Sequence, residues 1–169
     1  YDSDALPIVS QAKEINFNPG IIYGVPASWP VGFEANKLST GVAGLSLWLP
    51  DSPLSASKTF VKAFTKKFGS VTSEYLAPLA YVNLTTLAAA INRAGTTDKD
   101  KVAAELAKTN VNTPFGKLTF TPSNKVKYQG FKAGEWLSFQ YKNGKRLPVF
   151  PITVARAPLL YPIPDWNKR

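Results

Sequence analysis

The residue types on which most catalytic and metal sites depend are missing from this 169-residue sequence, which contains no cysteine and no histidine. Without cysteine there is no disulfide, thiol nucleophile or thiolate metal site. Without histidine the chain lacks the commonest general base and metal ligand, which excludes a Ser-His-Asp triad and weighs against hydrolase chemistry. Methionine is also absent, so we expect Tyr1 to be a processed or truncated end.

The acidic residues offer little for acid–base catalysis. Only two pairs lie close in sequence, Asp2 with Asp4 and Asp98 with Asp100. Both pairs fall at predicted helix starts, where a carboxylate caps the backbone and favours the helix dipole. No phosphate-binding glycine loop is present, because the glycines lack the required spacings. We therefore predict a binding protein rather than an enzyme, with no metal and no cofactor.

The net charge of +9 is unevenly distributed along the chain. Residues 1–90 hold six basic and six acidic residues, so the whole excess lies after residue 90. The basic residues are spread singly among apolar ones, which is typical of a solvated surface. A nucleic-acid-binding protein remains an alternative, and it would show an affinity that falls steeply with salt.

The first fifty residues alternate between helical and strand-like patterns. Ser3 or Asp4 can cap a first helix. The glycine-bounded apolar run at residues 20–24 is typical of a strand buried on both faces of a parallel sheet, and residues 42–49 predict a second strand. A short helical segment is expected around residues 33–38. The alternation predicts an α/β fold.

Ligands of open α/β sheets lie beyond the carboxyl ends of the strands. The segment directly after the first strand is therefore a candidate pocket, with Trp29 either as a ligand contact or as a lid on the core. If a strand precedes Tyr1, then Tyr1 and Asp2 face the same crevice. The other predicted contacts in this segment are Pro26, Ala27 and Ser28.

Three helices are predicted in the middle of the chain. The first begins at Ser55 or Ser57 and ends at Gly69, and its phenylalanines at every fourth position indicate core packing. The second covers residues 73–93, with Gly95 after its end. The third opens with a capping-box-like sequence at residues 97–100. The apolar stripe of the second helix consists of Leu84, Leu87, Ala88 and Ile91.

Residues 112–120 separate this helical part from a strand-rich part. Pro114 stops a helix, Gly116 can adopt positive φ, and the alternation of Leu118 and Phe120 starts a strand. Further on, Asn143-Gly144 between two alternating segments is a strong hairpin signal. The proline-rich tail from residue 157 predicts an extended strap.

Several stretches together resemble a known family: YDSDALPIVSQAKEIN, IIYGVPAS, GVAGLSLWLP, FVKAFTKKFG, the helix ending in AGT, NTPFGKLTF and YPIPDW. The sequence is similar to the type I periplasmic substrate-binding proteins of branched-chain amino acid-type ABC transporters, whose members bind leucine, amides, urea or aromatic acids. The resemblance covers almost the whole chain but only the later part of the family's length. It implies a partial two-lobe, Rossmann-like sandwich with interlobe crossings.

The resemblance also implies a division of the chain. Residues 1–50 would belong to the second lobe and residues 51–112 to the first-lobe side. Residues 113–150 would return to the second lobe, and residues 151–169 would form the C-terminal strap. The two crossings would serve as hinges, at Pro50 and Asp51 and again at Thr113 and Pro114.

Family ligand contacts carry over unevenly. A tyrosine at a strand end matches Tyr1, and an aromatic residue before the long helix falls near Tyr75 or Leu76. In leucine-type members an acidic residue in the turn after the next strand holds the ligand's ammonium group. Here Pro26 or Ala27 stands at that place, which favours an aromatic or aliphatic carboxylate over an α-amino acid.

The function implied by the resemblance is the binding of a small molecule for ABC-transporter uptake, by hinge closure of a two-lobed "Venus-flytrap" protein. The partners would be the small ligand and a transporter permease, with no nucleic acid and no membrane insertion. The location would be the bacterial periplasm, reached by a signal peptide that this sequence does not include. A ligand-sensing regulatory domain of the same fold is the alternative. We expect the chain alone to bind ligand poorly.

Overall fold

The chain divides into two units in a computed structural model that describes residues 2–25, 29–30, 32–70, 75–121, 130–132 and 136–169. Unit 1 comprises Tyr1–Leu47 and Glu135–Arg169, and unit 2 comprises Trp48–Gly134. The helices are α1 (Asp2–Glu14), α2 (Ser55–Phe68), α3 (Leu76–Ala94) and α4 (Lys99–Ala107), with 3₁₀ turns at Phe33–Ala35, Lys37–Ser39 and Trp166–Lys168. The strands are β1 (Tyr23–Gly24), β2 (Ala43–Ser46), β3 (Asn110–Thr113), β4 (Gly116–Thr121), β5 (Gly130–Lys132), β6 (Leu137–Lys142) and β7 (Lys145–Phe150).

Unit 1 is built on a four-stranded sheet in the order β1-β2-β6-β7. β1 pairs with β2 in parallel, and the other two pairings are antiparallel. Ala43 and Ser46 of β2 are fully buried. The expectation that the first strand is buried on both faces is wrong, because β1 lies at the edge of the described sheet and Tyr23 is 46% exposed.

Close packing above β2 depends on Gly44. A Cβ atom at this position would lie 2.9 Å from Cζ of Phe139 and 3.0 Å from Nε1 of Trp29. Phe139 is buried on β6, and Trp29 follows β1. The missing side chain therefore lets two aromatic rings lie directly on the strand.

The predicted hairpin is confirmed between β6 and β7. Asn143 and Gly144 both have positive φ, 50° and 71°, as the tight two-residue turn requires. Phe139 and Tyr141 are buried on one face of β6, and Leu137 is half-buried.

The amide of Gln140 fastens the C-terminal strap to the sheet. Its side chain is fully buried, and its Nε2 donates to the carbonyl oxygens of Gly41 at 2.8 Å and Leu160 at 3.0 Å. Its Oε1 accepts from the backbone N–H of Leu160 at 2.7 Å. Further along the strap, the N–H of Ile163 donates to the carbonyl of Gly20 at 2.9 Å. The tail is thus fastened by Gln140 and by further hydrogen bonds, such as the one that Nε1 of Trp166 donates to the carbonyl of Phe17 at 3.0 Å, and it ends in the 3₁₀ turn at Trp166–Lys168.

A chain of aromatic rings runs along α2 in unit 2, from buried Phe60 to exposed Phe68. Phe60 of α2 meets Trp48 edge-on at 5.9 Å and Tyr81 of α3 at 5.3 Å between ring centroids. Phe64 continues the contact from Phe60, and Phe68 packs on Phe64 at 4.7 Å. The predicted core role holds for buried Phe60 but not for Phe68, which is 61% exposed at the end of the helix.

The glycine end signals of α2 and α3 are confirmed, whereas the capping box predicted at residues 97–100 is wrong, because the N-cap of α4 is Asp98 and not Thr97. α2 ends at Gly69 with φ 89°, and α3 ends at Gly95 in the left-handed region with φ 64°. Asp98 caps α4 by accepting from the N–H of Lys101 at 3.0 Å. The glycine ends and the Asp98 cap each depend on backbone groups only a few residues away, so the local sequence is enough to predict them.

The predicted apolar stripe of α3 does not correspond to its buried face. Leu84 is 70% exposed and Leu87 is also exposed, whereas Pro78, Val82 and Ala90 are buried. The side chains buried on α3 are smaller than the exposed leucines. Apolar character alone therefore pointed to the wrong face.

The predicted crossing at Thr113 and Pro114 is wrong. These residues lie inside unit 2, where β3 and β4 pair as an antiparallel hairpin. Oγ1 of Thr113 donates to the carbonyl of Gly116 at 2.7 Å and accepts from the N–H of Phe115 at 3.2 Å. Proline and glycine here make a tight turn, and the return to unit 1 comes at the Gly134/Glu135 boundary. Residues 113–121 thus do not belong with the β6–β7 hairpin.

We predict that Gln140→Leu strongly destabilises the protein. Leucine has nearly the same size but leaves two buried carbonyls and one N–H without their partner, which should lower the free energy of unfolding by about 3 kcal/mol or more. Urea denaturation measures this change.

The matched control is Gln11→Leu, which places the same substitution at an exposed position of α1. It should shift stability by less than about 0.5 kcal/mol. Equal effects of the two substitutions would contradict the role assigned to Gln140.

Candidate functional site

A recess of about 260 Å³ lies in unit 1 beside β1. Its position agrees with the expectation that the pocket follows the first strand of a parallel pair. α1 supplies one wall and the strand another. The described lining residues are Asp4, Ala5, Ile8, Ile22, Tyr23, Gly24 and Trp29.

The rotation of α1 decides which side chains reach the recess. Ala5 and Val9, four residues apart, are buried and anchor one side of the helix. Asp4 directly precedes Ala5, and Ile8 directly precedes Val9. Asp4 and Ile8 therefore lie together at the margin of the buried face, and both are exposed. A carboxylate and an apolar side chain thus reach the recess from two successive turns of the helix.

Trp29 forms a wall of the recess but is mostly a core residue. It is 7% exposed, and its indole stacks on Phe33 with centroids 5.0 Å apart and planes inclined by 11°. Its Nε1 donates to the carbonyl oxygen of Ala43 at 3.0 Å. The only polar group of the side chain is therefore engaged, and Trp29 can offer a ligand only apolar surface.

Tyr23 reaches the recess from the other side, and the sequence analysis missed it. Its ring is exposed, and its hydroxyl forms a 2.7 Å hydrogen bond with Oγ of Ser138 on β6. The available signal was its position as the last large residue before the glycine that ends β1. That signal was overlooked because the strand was expected to be buried on both faces.

Asp4 is the one charged side chain among the described lining residues. The sequence analysis treated it only as a helix cap. Its Oδ1 accepts a long hydrogen bond, 3.5 Å, from Oγ of Ser3, and the carboxylate is exposed. It therefore brings to the recess the negative charge that the turn at residues 24–28 does not supply.

The sequence profile of one family, described as periplasmic binding protein, matches residues 1–144. The chain belongs to the periplasmic binding protein family. This is a family of solute-binding proteins and not of enzymes. The match confirms the family that the sequence resembles and the type I α/β fold.

Solved structures share the fold of this periplasmic binding protein. A leucine-binding protein from Thermotoga maritima is 23% identical with a TM-score of 0.72, over 88% of this chain and 41% of its own. A branched-chain amino acid transporter substrate-binding protein from Streptococcus pneumoniae, solved with isoleucine, is 20% identical with a TM-score of 0.65, over 96% and 43%. A solute-binding protein from R. palustris, solved with benzoate, is 14% identical with a TM-score of 0.64, over 91% and 47%.

These likenesses establish the fold of the periplasmic binding protein, and the chain spans less than half the length of the structures it matches. A search of curated proteins gave no significant match.

The other predicted site residues of the binding protein are not among the described residues that line the recess. Tyr75 precedes α3 in unit 2 and is half-buried. Asp2 is the first residue of α1. Pro50 and Asp51 are exposed and lie shortly after the boundary at Leu47/Trp48. The predicted contacts that fall outside the described residues are Tyr1, Pro26, Ala27 and Ser28.

A smaller groove of about 170 Å³ lies in unit 2 between α3 and the β3–β4 hairpin. Its one charged lining residue, Arg93, pairs with Glu105 at 3.3 Å and donates to the carbonyl of the same residue at 2.8 Å. A hydrogen bond from Lys108 and the pairing with Arg93 lower the pKa of the Glu105 carboxyl, and desolvation opposes them. Arg93 is thus committed to joining α3 to α4.

The described residues of the binding protein provide neither a metal site nor a membrane-spanning helix. No group of three or more histidine, cysteine, aspartate or glutamate side chains is placed to hold a metal ion. No described helix has the length and apolar character needed to cross a membrane.

We predict that Trp29→Phe lowers the free energy of unfolding by about 1–2 kcal/mol. Phenylalanine can keep the stack on Phe33, but it cannot donate to the buried carbonyl of Ala43. Urea denaturation measures the loss. Trp136→Phe, at an exposed position of the same unit, should leave stability nearly unchanged, and an equal loss there would contradict the assignment.

Proposed function

We propose that this chain takes part in binding a small organic solute for uptake by an ABC transporter. The observation that carries the proposal is the recess at the end of β1, which combines apolar walls with one carboxylate. Family membership supports it, since the proteins of similar fold include ones solved with isoleucine and with benzoate.

The lining of the recess suits an amphipathic molecule. Ile8, Ile22 and the rings of Tyr23 and Trp29 supply apolar surface, and Asp4 supplies a single charge. Small-molecule sites in proteins usually combine these features, with a few polar groups fixing the orientation of a mostly apolar ligand. At about 260 Å³ the recess is slightly smaller than a typical complete site, so it would supply one part of the ligand's contacts.

The carboxylate of Asp4 bears on the class of ligand. The sequence favoured an aromatic or aliphatic carboxylate because the turn after β1 has no acidic residue. Asp4 supplies the acidic group that this segment lacks, because it lines the same recess. Its carboxylate would repel a carboxylate ligand and attract an ammonium group. We therefore favour an amino acid-like ligand whose apolar side chain lies against Ile8 and Tyr23.

Closure on the ligand would use the segments where the chain passes between the two units. Pro50 and Asp51 lie close to the first passage, and we keep them as proposed hinge residues. A hinge concentrates the change in φ and ψ in a few such positions. Thr113 and Pro114, the other predicted hinge, lie within unit 2 and not where the chain passes between the units.

The partners and the location follow from the same proposal. The binding protein would hand its ligand to the permease of the transporter, and it would do so in the periplasm. Because the chain spans less than half the length of the matched structures, we expect it to bind ligand weakly by itself.

We predict that Asp4→Asn weakens binding of leucine or isoleucine roughly 10- to 100-fold, because a charge-assisted hydrogen bond to the ammonium group is lost. Binding of benzoate should be unchanged or improved. Isothermal titration calorimetry of the transport protein with each ligand measures both effects.

The control is Asp51→Asn, which removes the same charge at an exposed position of unit 2. It should leave amino acid binding unchanged. A protein that binds benzoate but no amino acid, with Asp4→Asn strengthening that binding, would retain solute binding but overturn the ligand class. Absence of any solute binding would overturn the function itself.

A further inference from the structure

All the charged residues of α2 are basic. Its 14 residues contain four lysines and no acidic residue. Lys58, Lys62 and Lys66 recur every four residues, so they lie on one side of the helix along about 12 Å of its axis. We call these three residues the lysine face of α2.

Aromatic packing fixes the direction in which the lysine face points. Phe60 is buried between Trp48 and Tyr81, and Phe64 and Phe68 extend the same stripe. At 100° per residue, the phenylalanine stripe lies opposite the three lysines. The side of α2 that is anchored in unit 2 is thus not the lysine face, and all three lysines of that face are exposed.

The charges of this face are not neutralised within the described part of the chain. None of the three lysines forms an ion pair there, whereas Lys108 and Lys168 each pair with an acidic residue of their own segment. The whole chain carries a net charge of +9, which adds a long-range attraction towards anionic surfaces. The lysine face is therefore complementary to a partner of high negative charge.

The composition of α2 indicates what kind of partner this is. The helix has lysines and no arginine, which suits a diffuse layer of charge, such as the surface of an anionic lipid bilayer, better than paired recognition of single phosphates or carboxylates. Phe68 is exposed at the end of the opposite stripe, under Nζ of Lys67 at 5.3 Å from the centre of its ring, and does not belong to the lysine face.

We propose that the lysine face of α2 binds the surface of an anionic phospholipid bilayer. The attraction is electrostatic and reversible. Such binding would hold the protein near the membrane that carries its permease. The solute recess lies in unit 1 and α2 lies in unit 2, so the proposal does not depend on the identity of the ligand.

The test is co-sedimentation of the 169-residue chain with vesicles, either of phosphatidylcholine alone or of phosphatidylcholine mixed with phosphatidylglycerol. We expect binding to the mixed vesicles only, weakening as salt is raised. The triple variant Lys58→Gln, Lys62→Gln, Lys66→Gln should lower the partition coefficient roughly 10- to 100-fold. Phe68→Ser, on the opposite side of the helix, should leave it nearly unchanged.

The matched control is Lys99→Gln, Lys101→Gln, Lys117→Gln, which removes the same charge from three other exposed positions of unit 2. It should retain most of the binding. Equal loss in the two triple variants would overturn the proposal in favour of a net-charge effect, as would equal binding to both kinds of vesicle. Binding of duplex DNA at the same salt as tightly as mixed vesicles would also overturn it, in favour of a nucleic-acid surface.

Discussion

The buried amide of Gln140 is the interaction on which the arrangement of unit 1 most depends. Its three hydrogen bonds join β6 to the loop that leads into β2 and to the strap at Leu160. A buried amide tolerates only the geometry that satisfies it, so the position of the strap is fixed against the sheet. The strap in turn reaches back to Gly20, at the start of the segment that leads into β1 and the recess.

The sequence predicted correctly those features that depend only on residues close to each other in the chain. Asn143-Gly144 makes its turn because both residues accept positive φ, and Gly69 ends α2 for a similar reason. The exposed leucines of α3 and the hairpin at Thr113 could not be foreseen in this way. Which side of a helix is buried, and whether a proline-glycine segment turns or crosses, depends on elements that are distant in sequence.

The candidate site shows the same division. The rule that ligands lie beyond the carboxyl ends of parallel strands predicts a pocket after β1, and the structure has a recess lined by Trp29 there. That the recess binds a ligand stays a prediction. It could not show that the indole nitrogen of Trp29 is used by Ala43, or that Tyr23 is exposed at a sheet edge. Asp4 was overlooked because a carboxylate in the first turn of a helix already has a sufficient local explanation. Only the packing of α1, with Ala5 and Val9 buried, shows that the same carboxylate also reaches the recess.

The distribution of charge in this chain distinguishes the two proposed kinds of recognition. The one charged group among the described residues of the recess is a carboxylate, although the chain as a whole is strongly basic. A cationic ligand group would thus be drawn to the recess by a local charge, over a few ångströms, against the field of the whole protein. The lysine face of α2 acts in the opposite sense, because it adds to that field and is exposed to solvent. Salt therefore separates the two: raising it weakens attraction to an anionic surface, and it leaves a close, partly desolvated contact in the recess much less affected.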